Sequence, residues 1–246
     1  MMQKFPRIRK QFGKAVAEFH LILSQDKILV PIDADAPRLT LAAWIYLKKA
    51  KMIQKCEICA AHFYSSDNVD PETQSILDDF IKQYPMDIKY VHHDDVTDRE
   101  SLHRMYVEYA LEENCNKVAV PDTIELMNAT MLATMCTDCV LNGPDPAQKV
   151  QLAPDAPEIT IIRPFCYLKD ADLLSFTQKN LMKTHKAGID IEEENEVIVC
   201  RETIKALSTE ASNTNYNIFH SQFVVQEKYL GGGDGLYHEL GDFDKD

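Results

Sequence analysis

The chain has 246 residues, 45% of them hydrophobic and 26% charged, with 26 Lys+Arg against 39 Asp+Glu and a formal net charge of −13. This length and composition are enough for one large core, with or without a small appendage, and argue against two full domains. The negative charge opposes non-specific attraction to nucleic acid or anionic lipid, so any contact with RNA must be local. No apolar run reaches the roughly 18 to 20 residues that a membrane-spanning helix needs.

The first predicted element is an amphipathic helix over about residues 4–23, because apolar residues recur there at spacings of three and four. Beyond it, apolar or β-branched runs alternate with helical patterns, as in a doubly wound parallel sheet. We predict strands at 27–32, 56–63, 88–92, 117–120 and 159–162, and helices at 38–51, 71–84, 98–114 and 124–141. The predicted fold class is α/β, with a mostly parallel five-stranded sheet, flanking helices, an N-terminal helix and a helical C-terminal segment.

The same patterns divide the chain into four segments. We predict an N-terminal amphipathic helix at 1–24, an α/β domain at 25–165, a helical segment at 166–230 and a flexible acidic tail at 231–246. The stretch 142–157 contains four prolines and one glycine, which predicts a loop. The tail begins with GGGDG, a composition typical of flexible linkers.

Cysteine usage indicates a reducing compartment. The chain has seven cysteines, an odd number, and several lie inside apolar segments. This favours reduced thiols in a cytosol over a secreted disulfide framework, and we predict a cytoplasmic protein. The basic N-terminus is not followed by an unbroken apolar core and cleavage site, which argues against a secretory signal, while an organelle-targeting helix stays open.

Five stretches of the sequence carry a resemblance to a known family. They are IRKQFGKAVAEFHLI, DKILVPIDADAPRLTLAAWIYL, KVAVPDTIELMNATMLATM, ITIIRPFCYLKDADLLSF and NYNIFHSQFVV. These stretches resemble segments of the PP-loop ATP pyrophosphatases (adenine nucleotide alpha hydrolase-like). The first stretch resembles the family's leading helix, and the second resembles its first strand with the following loop and helix. The other three resemble the fourth strand with its helix, the strand with its Arg-Pro dipeptide, and the terminal helix. Within that superfamily, they specifically resemble the tRNA 2-thiocytidine synthetase branch.

The resemblance implies a nucleotide site at the loop after the first strand, where the family has SGGxDS. Here that loop contains Asp33, Asp35 and Arg38, with two prolines and neither glycine nor serine. A carboxylate about 4 Å from a phosphate charge costs on the order of 4 kcal/mol per charge pair at an effective dielectric near 20. We therefore expect that ATP does not bind in the family's manner. A Mg²⁺ bridge to a phosphate is one alternative role for the aspartates, and capping of the next helix is the other.

Two further family motifs have changed. At the position of the family's GHxxDD stand Asp122 and, three residues later, Glu125, which is either a remnant of the nucleotide site or a first-turn helix acid. The resemblance also implies an iron-sulfur cluster held by a CxxC and a late cysteine. The corresponding regions, 92–99 and the stretch around Cys200, offer a single cysteine, and a cluster needs several thiolates. We expect ATP, Mg²⁺ and the cluster to be lost.

Two CxxC pairs occur elsewhere in the chain. Cys56 and Cys59 lie on a predicted strand, where residues three apart face opposite sides, which favours core packing over a shared metal. Cys136 and Cys139 lie near a helix end, where such residues share a face. Two alternatives are open for this pair: structural thiols, or a site that is either redox-active or supplies half of the ligands of a metal.

Two other groups of polar residues are candidates for function. His92-His93-Asp94-Asp95 follows the third predicted strand and is either a metal or acid-base site or an ordinary polar turn. The first helix carries five cations within eleven residues, a patch suited to phosphate contacts or simply a solvated face. These cations are Lys4, Arg7, Arg9, Lys10 and Lys14, of which the last four are the predicted nucleic-acid contacts.

The leading hypothesis is a degenerate PP-loop protein related to tRNA 2-thiocytidine synthetases. It would act as a binding or regulatory module, with no catalytic residue and no metal site. The alternative is an active ATP-dependent tRNA-thiolating enzyme with a redesigned pocket. The partner is tRNA or a protein, a homodimer is left open, and no membrane is expected. The degenerate pocket positions are Asp33, Asp35, Arg38, Asp122 and Glu125.

Overall fold

The computed structural model describes residues 5–94, 96–138, 143–185, 189, 191 and 193–224. Six strands form one sheet in the order β3-β2-β1-β4-β6-β5. They are β1 (Lys27–Pro31), β2 (Glu57–Tyr64), β3 (Ile88–His92), β4 (Lys117–Ala119), β5 (Ala147–Val150) and β6 (Ile159–Ile162). All neighbours are parallel except β5 and β6. The fold is therefore an α/β doubly wound, mostly parallel sheet, as predicted.

Eight helices surround the sheet in the described part of the chain. They are α1 (Pro6–Glu18), α2 (Ala36–Lys51), α3 (Pro71–Gln83), α4 (Arg99–Glu112), α5 (Ile124–Asp138), α6 (Asp170–Lys179), α7 (Asn195–Glu210) and α8 (Thr214–Ser221). The prediction of five strands missed β5, and the loop predicted at 142–157 is wrong over that strand. The prolines stand on either side of Ala147–Val150, so the strand keeps every N–H that it needs to pair with β6.

Each face of the sheet has its own core. Ile28 and Val30 of β1 point into a core formed with α1, α2, α3 and α6, while Leu29 points into a second core formed with α4. This alternation follows from the two-residue period of a strand, and β1 is an apolar run because both of its faces are buried. The predicted division into an α/β domain and a helical segment stays a prediction, and 231–246 lies outside the described residues.

The N-terminal helix docks on the first core through aromatic side chains. Phe5 lies 4.9 Å from Phe176 between ring centroids, and Phe12 lies 5.7 Å from Trp44 and 6.2 Å from Phe165. Trp44, the only tryptophan in the chain, is fully buried. Its fluorescence therefore reports on the packing of α1 against the body of the protein.

The C-terminal helices α7 and α8 pack against α5. Helix α7 packs on α5 through Val197 and Ile204, which contact Ala129 and Ala133. Helix α8 is fixed to α5 by Asn128, whose side-chain amide donates to the carbonyl oxygen of Asn215 at 2.8 Å. No helix in the described residues is long and apolar enough to cross a membrane.

Candidate functional site

A cleft opens at the carboxyl ends of β1 and β4. The strand order runs outward in opposite directions from these two neighbours, and open α/β sheets bind their ligands at such a switch point. The cleft has two adjoining lobes of about 520 Å³ and about 700 Å³. The first lies over the β1 and β4 ends beneath α7, and the second lies between α4, α5 and the β5–β6 hairpin. Both lobes are lined by Arg99, His103, Thr130 and Glu194.

The loop between β1 and α2 supplies two carboxylates, and both are engaged by groups of the same loop. Asp35 caps α2, since its Oδ1 accepts the backbone N–H of Arg38 at 2.7 Å, while its Oδ2 accepts from Nη1 of Arg38 at 2.5 Å. Asp33 accepts the N–H of Ala34 at 2.7 Å and lies 3.3 Å from the same Nη1. Capping by Asp35 is one of the two roles that the sequence left open for these aspartates.

Asp33 differs from Asp35 in being buried, with 4% of its surface exposed. Burial raises the pKa of Asp33 to about 7, against the lowering effect of the Arg38 guanidinium. His62 lies beside it, with Nδ1 3.7 Å from Oδ1 of Asp33 and 3.1 Å from the carbonyl oxygen of Ile32. Burial lowers the pKa of His62, so the ring is neutral and Nδ1–H donates to that carbonyl.

Asp122, at the end of β4, is held between two arginines. Its Oδ1 lies 2.6 Å from Nη2 of Arg99, and its Oδ2 accepts from Nε of Arg163 at 2.8 Å. Burial by itself would raise the pKa of Asp122, but the two guanidinium groups outweigh it and hold that pKa well below the usual range. Arg163 also donates to the carbonyl oxygen of Asp145 at 2.6 Å and to Oε1 of Gln148 at 2.9 Å, which ties β4 to the β5 segment.

Glu125 lies in the first turn of α5, and its carboxylate contacts the start of α6. Its Oε2 accepts the backbone N–H of Asp170 at 2.8 Å, at the first residue of α6. Thr123 reaches the same residue, donating through Oγ1 to Oδ1 of Asp170 at 2.6 Å. Glu125 does not line either lobe of the cleft, whereas Asp33 lies just beneath it and Asp35, Arg38 and Asp122 line the first lobe.

His92 and Asp94 of the histidine cluster lie at the end of β3, and the two cysteines of the first CxxC pair lie on opposite faces of the sheet. His92 lies on the exposed end of β3 with Nε2 3.1 Å from Oδ1 of Asp94, and Asp95 lies outside the described residues. Cys56 packs into the first core and Cys59 into the second, on opposite faces of the sheet as their spacing predicts. Among the residues that the structure describes, no group of three His, Cys, Asp or Glu side chains could hold a metal ion.

The basic face of α1 is partly neutralised by contacts within the chain. Nε of Arg7 lies 3.2 Å from Asp172, and Nζ of Lys14 lies 3.8 Å from Glu18 and 4.0 Å from the centroid of the Tyr167 ring. Arg9 and Lys10 are exposed, and within the described part of the chain neither forms an ion pair. Lys4 lies outside the described residues.

Comparison with known proteins finds relatives at low sequence identity. No protein-family model matches the chain. It is 23% identical over 196 residues to the tRNA-cytidine(32) 2-sulfurtransferase of Geobacter sulfurreducens, covering 72% of each chain. It is also 23% identical over 195 residues to the protein of the same name from Geotalea uraniireducens, covering 72% of this chain and 73% of that one. These matches support the resemblance of the chain to the PP-loop ATP pyrophosphatase superfamily, in its tRNA-thiolation branch.

A solved structure supports the fold of this chain. The U34-tRNA thiolase NcsA from Methanococcus maripaludis, determined with its [4Fe-4S] cluster, superposes with a TM-score of 0.69 at 11% sequence identity. The match covers 93% of this chain and 83% of the thiolase. The fold agrees with that structure, and the named sulfurtransferase relatives confirm the resemblance carried by the five sequence stretches.

Sequence reasoning missed three cleft residues of this protein. Arg99 and His103 lie one turn apart on α4, and Arg163 follows β6, so nothing in their local sequence marks a common site. Arg163 belongs to the Arg-Pro dipeptide, which gave the only available signal. His103 lines both lobes, and burial lowers its pKa to about 4, so its imidazole is neutral at physiological pH.

Proposed function

We propose that this chain is a degenerate PP-loop protein that acts as a binding or regulatory module in the cytoplasm, without ATP hydrolysis and without an iron-sulfur cluster. The observation that carries the proposal is the β1–α2 loop, where the chain's own groups occupy the positions that a pyrophosphate would need. Asp35 takes the N-terminal N–H of α2, and Arg38 is committed to Asp33 and Asp35.

The charge of the first lobe supports the same conclusion. Six carboxylates and three guanidinium groups line it, and its histidine is neutral. The carboxylates are those of Asp35, Asp98, Asp122, Asp170, Glu193 and Glu194, and the guanidinium groups are those of Arg38, Arg99 and Arg201. A triphosphate adds about four negative charges, so it would be repelled by an excess of carboxylates in a partly desolvated pocket. These residues do not fit a nucleotide bound through its phosphates.

The cysteines that the structure describes do not fit an iron-sulfur cluster in the cleft. None of the described cysteines lines either lobe. Cys56, Cys59, Cys115 and Cys166 are buried, which leaves Cys136 and Cys200 as accessible thiols in the described chain. A cluster requires three or four thiolates converging on one space.

One observation favours the alternative function, an active ATP-dependent tRNA-thiolating enzyme with a redesigned pocket. The cleft itself is kept, with a volume suited to a nucleotide-sized ligand and with arginines that reach into both lobes. In either case tRNA or a protein is the partner, and exposed Arg9 and Lys10 on α1 are the cations best placed to contact phosphate.

Isothermal titration of ATP with Mg²⁺ separates the two functions. We expect no saturable binding to the wild-type protein. A matched double variant, Asp33→Asn with Asp35→Ser, keeps a capping side chain but removes both charges. If this variant binds ATP while the wild type does not, the carboxylates are the cause of exclusion. A micromolar dissociation constant for the wild type would contradict the proposal and favour the enzyme.

A further inference from the structure

Two cysteines differ from the others in the described chain by being accessible and by being neighbours. Cys136 is exposed in the last turn of α5, and Cys200 is half-buried in α7. The other four described cysteines are buried in the body of the protein. Cys136 belongs to the second CxxC pair, whose role the proposed function does not explain.

The packing of α7 on α5 brings these two thiols together. Cys200 packs against the Ala129 and Ala133 side of α5, and the small alanine side chains let the helices approach closely. Cys136 lies one turn beyond Ala133 on the same face of α5, so the two thiols are neighbours across the α5–α7 contact. Burial raises the pKa of Cys200, with the Cys136 sulfur adding to the effect. Cys136 is therefore the thiol that a reagent from solvent meets first, and Cys200 is the thiol next to it.

We propose that Cys136 and Cys200 form a reversible disulfide that links α5 to α7, with a low-molecular-weight disulfide as the oxidant. The thiolate of Cys136 attacks one sulfur of the small disulfide, which forms a mixed disulfide and releases one small thiolate. Cys200 then loses its proton and attacks the Cys136 sulfur, which forms the protein disulfide and releases the second small thiolate. The protein loses two electrons and two protons, and the small disulfide gains them as two thiols.

The link would act on both lobes of the cleft. Helix α5 contributes Thr130 and Thr134 to the lining, and α7 contributes Val197 and Arg201. A covalent bond between the helices fixes the distance between these walls. The shape of the cleft then depends on the thiol-disulfide state of the surroundings.

The test uses the full chain, reduced and then incubated with oxidised glutathione. We expect the intact mass to fall by two hydrogen atoms and peptide mapping to find residues 136 and 200 in one cross-linked pair. Reduction should reverse both changes. The melting temperature should rise on oxidation and return to its initial value after reduction. Cys136→Ser and Cys200→Ser should each abolish the cross-link, leaving a glutathione adduct on a remaining accessible cysteine.

Cys139→Ser is the decisive control, because the CxxC spacing offers a competing partner for Cys136. The proposal requires the cross-link to persist in this variant. A disulfide between residues 136 and 139 in the wild type, or stable glutathione adducts with no cross-link, would overturn it. Cys166→Ser is a second control that should react as the wild type does, since Cys166 is fully buried. Trp44 fluorescence shows that each variant is folded.

Discussion

Asp122 and Arg163 form a buried ion pair, with Oδ2 of the aspartate 2.8 Å from Nε of the arginine and both side chains at most 5% exposed. Removing one member of such a pair leaves the other charge buried and unpaired, which costs about 3–5 kcal/mol. We expect Asp122→Ala to lower the free energy of unfolding by this amount, as measured by urea titration with Trp44 fluorescence.

The matched control is Glu125→Gln, three residues along the chain. Glu125 accepts one exposed hydrogen bond from the N–H of Asp170, and glutamine keeps an acceptor there. We expect this substitution to change the free energy of unfolding by no more than about 0.5 kcal/mol. Equal effects of the two substitutions would show that the Asp122–Arg163 pair does not hold the end of β4 as described.

Asp33 should make stability depend on pH. Its pKa in the folded protein is about 7, above the ordinary value of 3.8, so between these values the folded state holds a proton that the unfolded chain has released. The contribution of Asp33 to the free energy of unfolding therefore decreases as pH rises from about 4 to 7, by at most about 1.4 kcal/mol per pH unit. Asp33→Asn removes the effect.

The measurement compares melting temperatures of wild type and Asp33→Asn at several pH values from 5 to 8. We expect the melting temperature of the variant to increase relative to that of the wild type as pH rises. His62 is present in both proteins, so its own titration largely cancels in the difference. A difference in melting temperature that stays constant, or that moves the other way, would mean that Arg38 keeps Asp33 ionised throughout this range.

Asp35 should behave as a helix cap and not as a metal ligand. Asp35→Ala removes the acceptor for the Arg38 N–H and should cost about 1 kcal/mol, whereas Asp35→Asn should cost only a few tenths, since asparagine caps nearly as well. Melting curves with and without millimolar Mg²⁺ should coincide for all three proteins. A Mg²⁺-dependent rise in the wild type that both variants lack would establish a metal site instead.

The four cations of α1 should contribute unequally to any RNA binding. Arg7 and Lys14 contact Asp172 and Glu18, while Arg9 and Lys10 point freely into solvent. Gel-shift titration with bulk tRNA at two salt concentrations should show binding that weakens steeply with salt. Arg9→Glu with Lys10→Glu should weaken it more than Arg7→Glu with Lys14→Glu. Binding that survives reversal of all four charges would locate the RNA site elsewhere.

Anaerobic reconstitution with iron and sulfide should leave the protein without a cluster. Accessible thiols in the described chain number two, fewer than a cluster needs. The measurement is the visible absorption spectrum of the desalted protein, with Cys166→Ser as a control for thiols of the core. A charge-transfer band that disappears in Cys200→Ala would show that Cys200 is a cluster ligand.

The sequence predicted the sheet and its helices well because their signals are local. Lys27–Pro31 is an apolar run with both faces buried, and the spacing of Phe5, Ile8 and Phe12 marks the face of α1 that docks. β5 was missed because four residues among prolines carry too weak a pattern, and its pairing depends on β6. The cleft residues were missed for a related reason, since Arg99 and Arg163 meet at Asp122 only through the tertiary fold.

The docking of α1 has a consequence for synthesis on the ribosome. Phe5 packs on Phe176, and Arg7 lies 3.2 Å from Asp172. The N-terminal end of α1 therefore cannot dock until α6, some 170 residues later in the chain, has been synthesised. At about 5–20 residues per second, that interval is on the order of ten to thirty seconds. During it the apolar face of α1 has only its early neighbours to cover it. A nascent chain of this protein therefore offers a hydrophobic helix to chaperones until α6 has emerged.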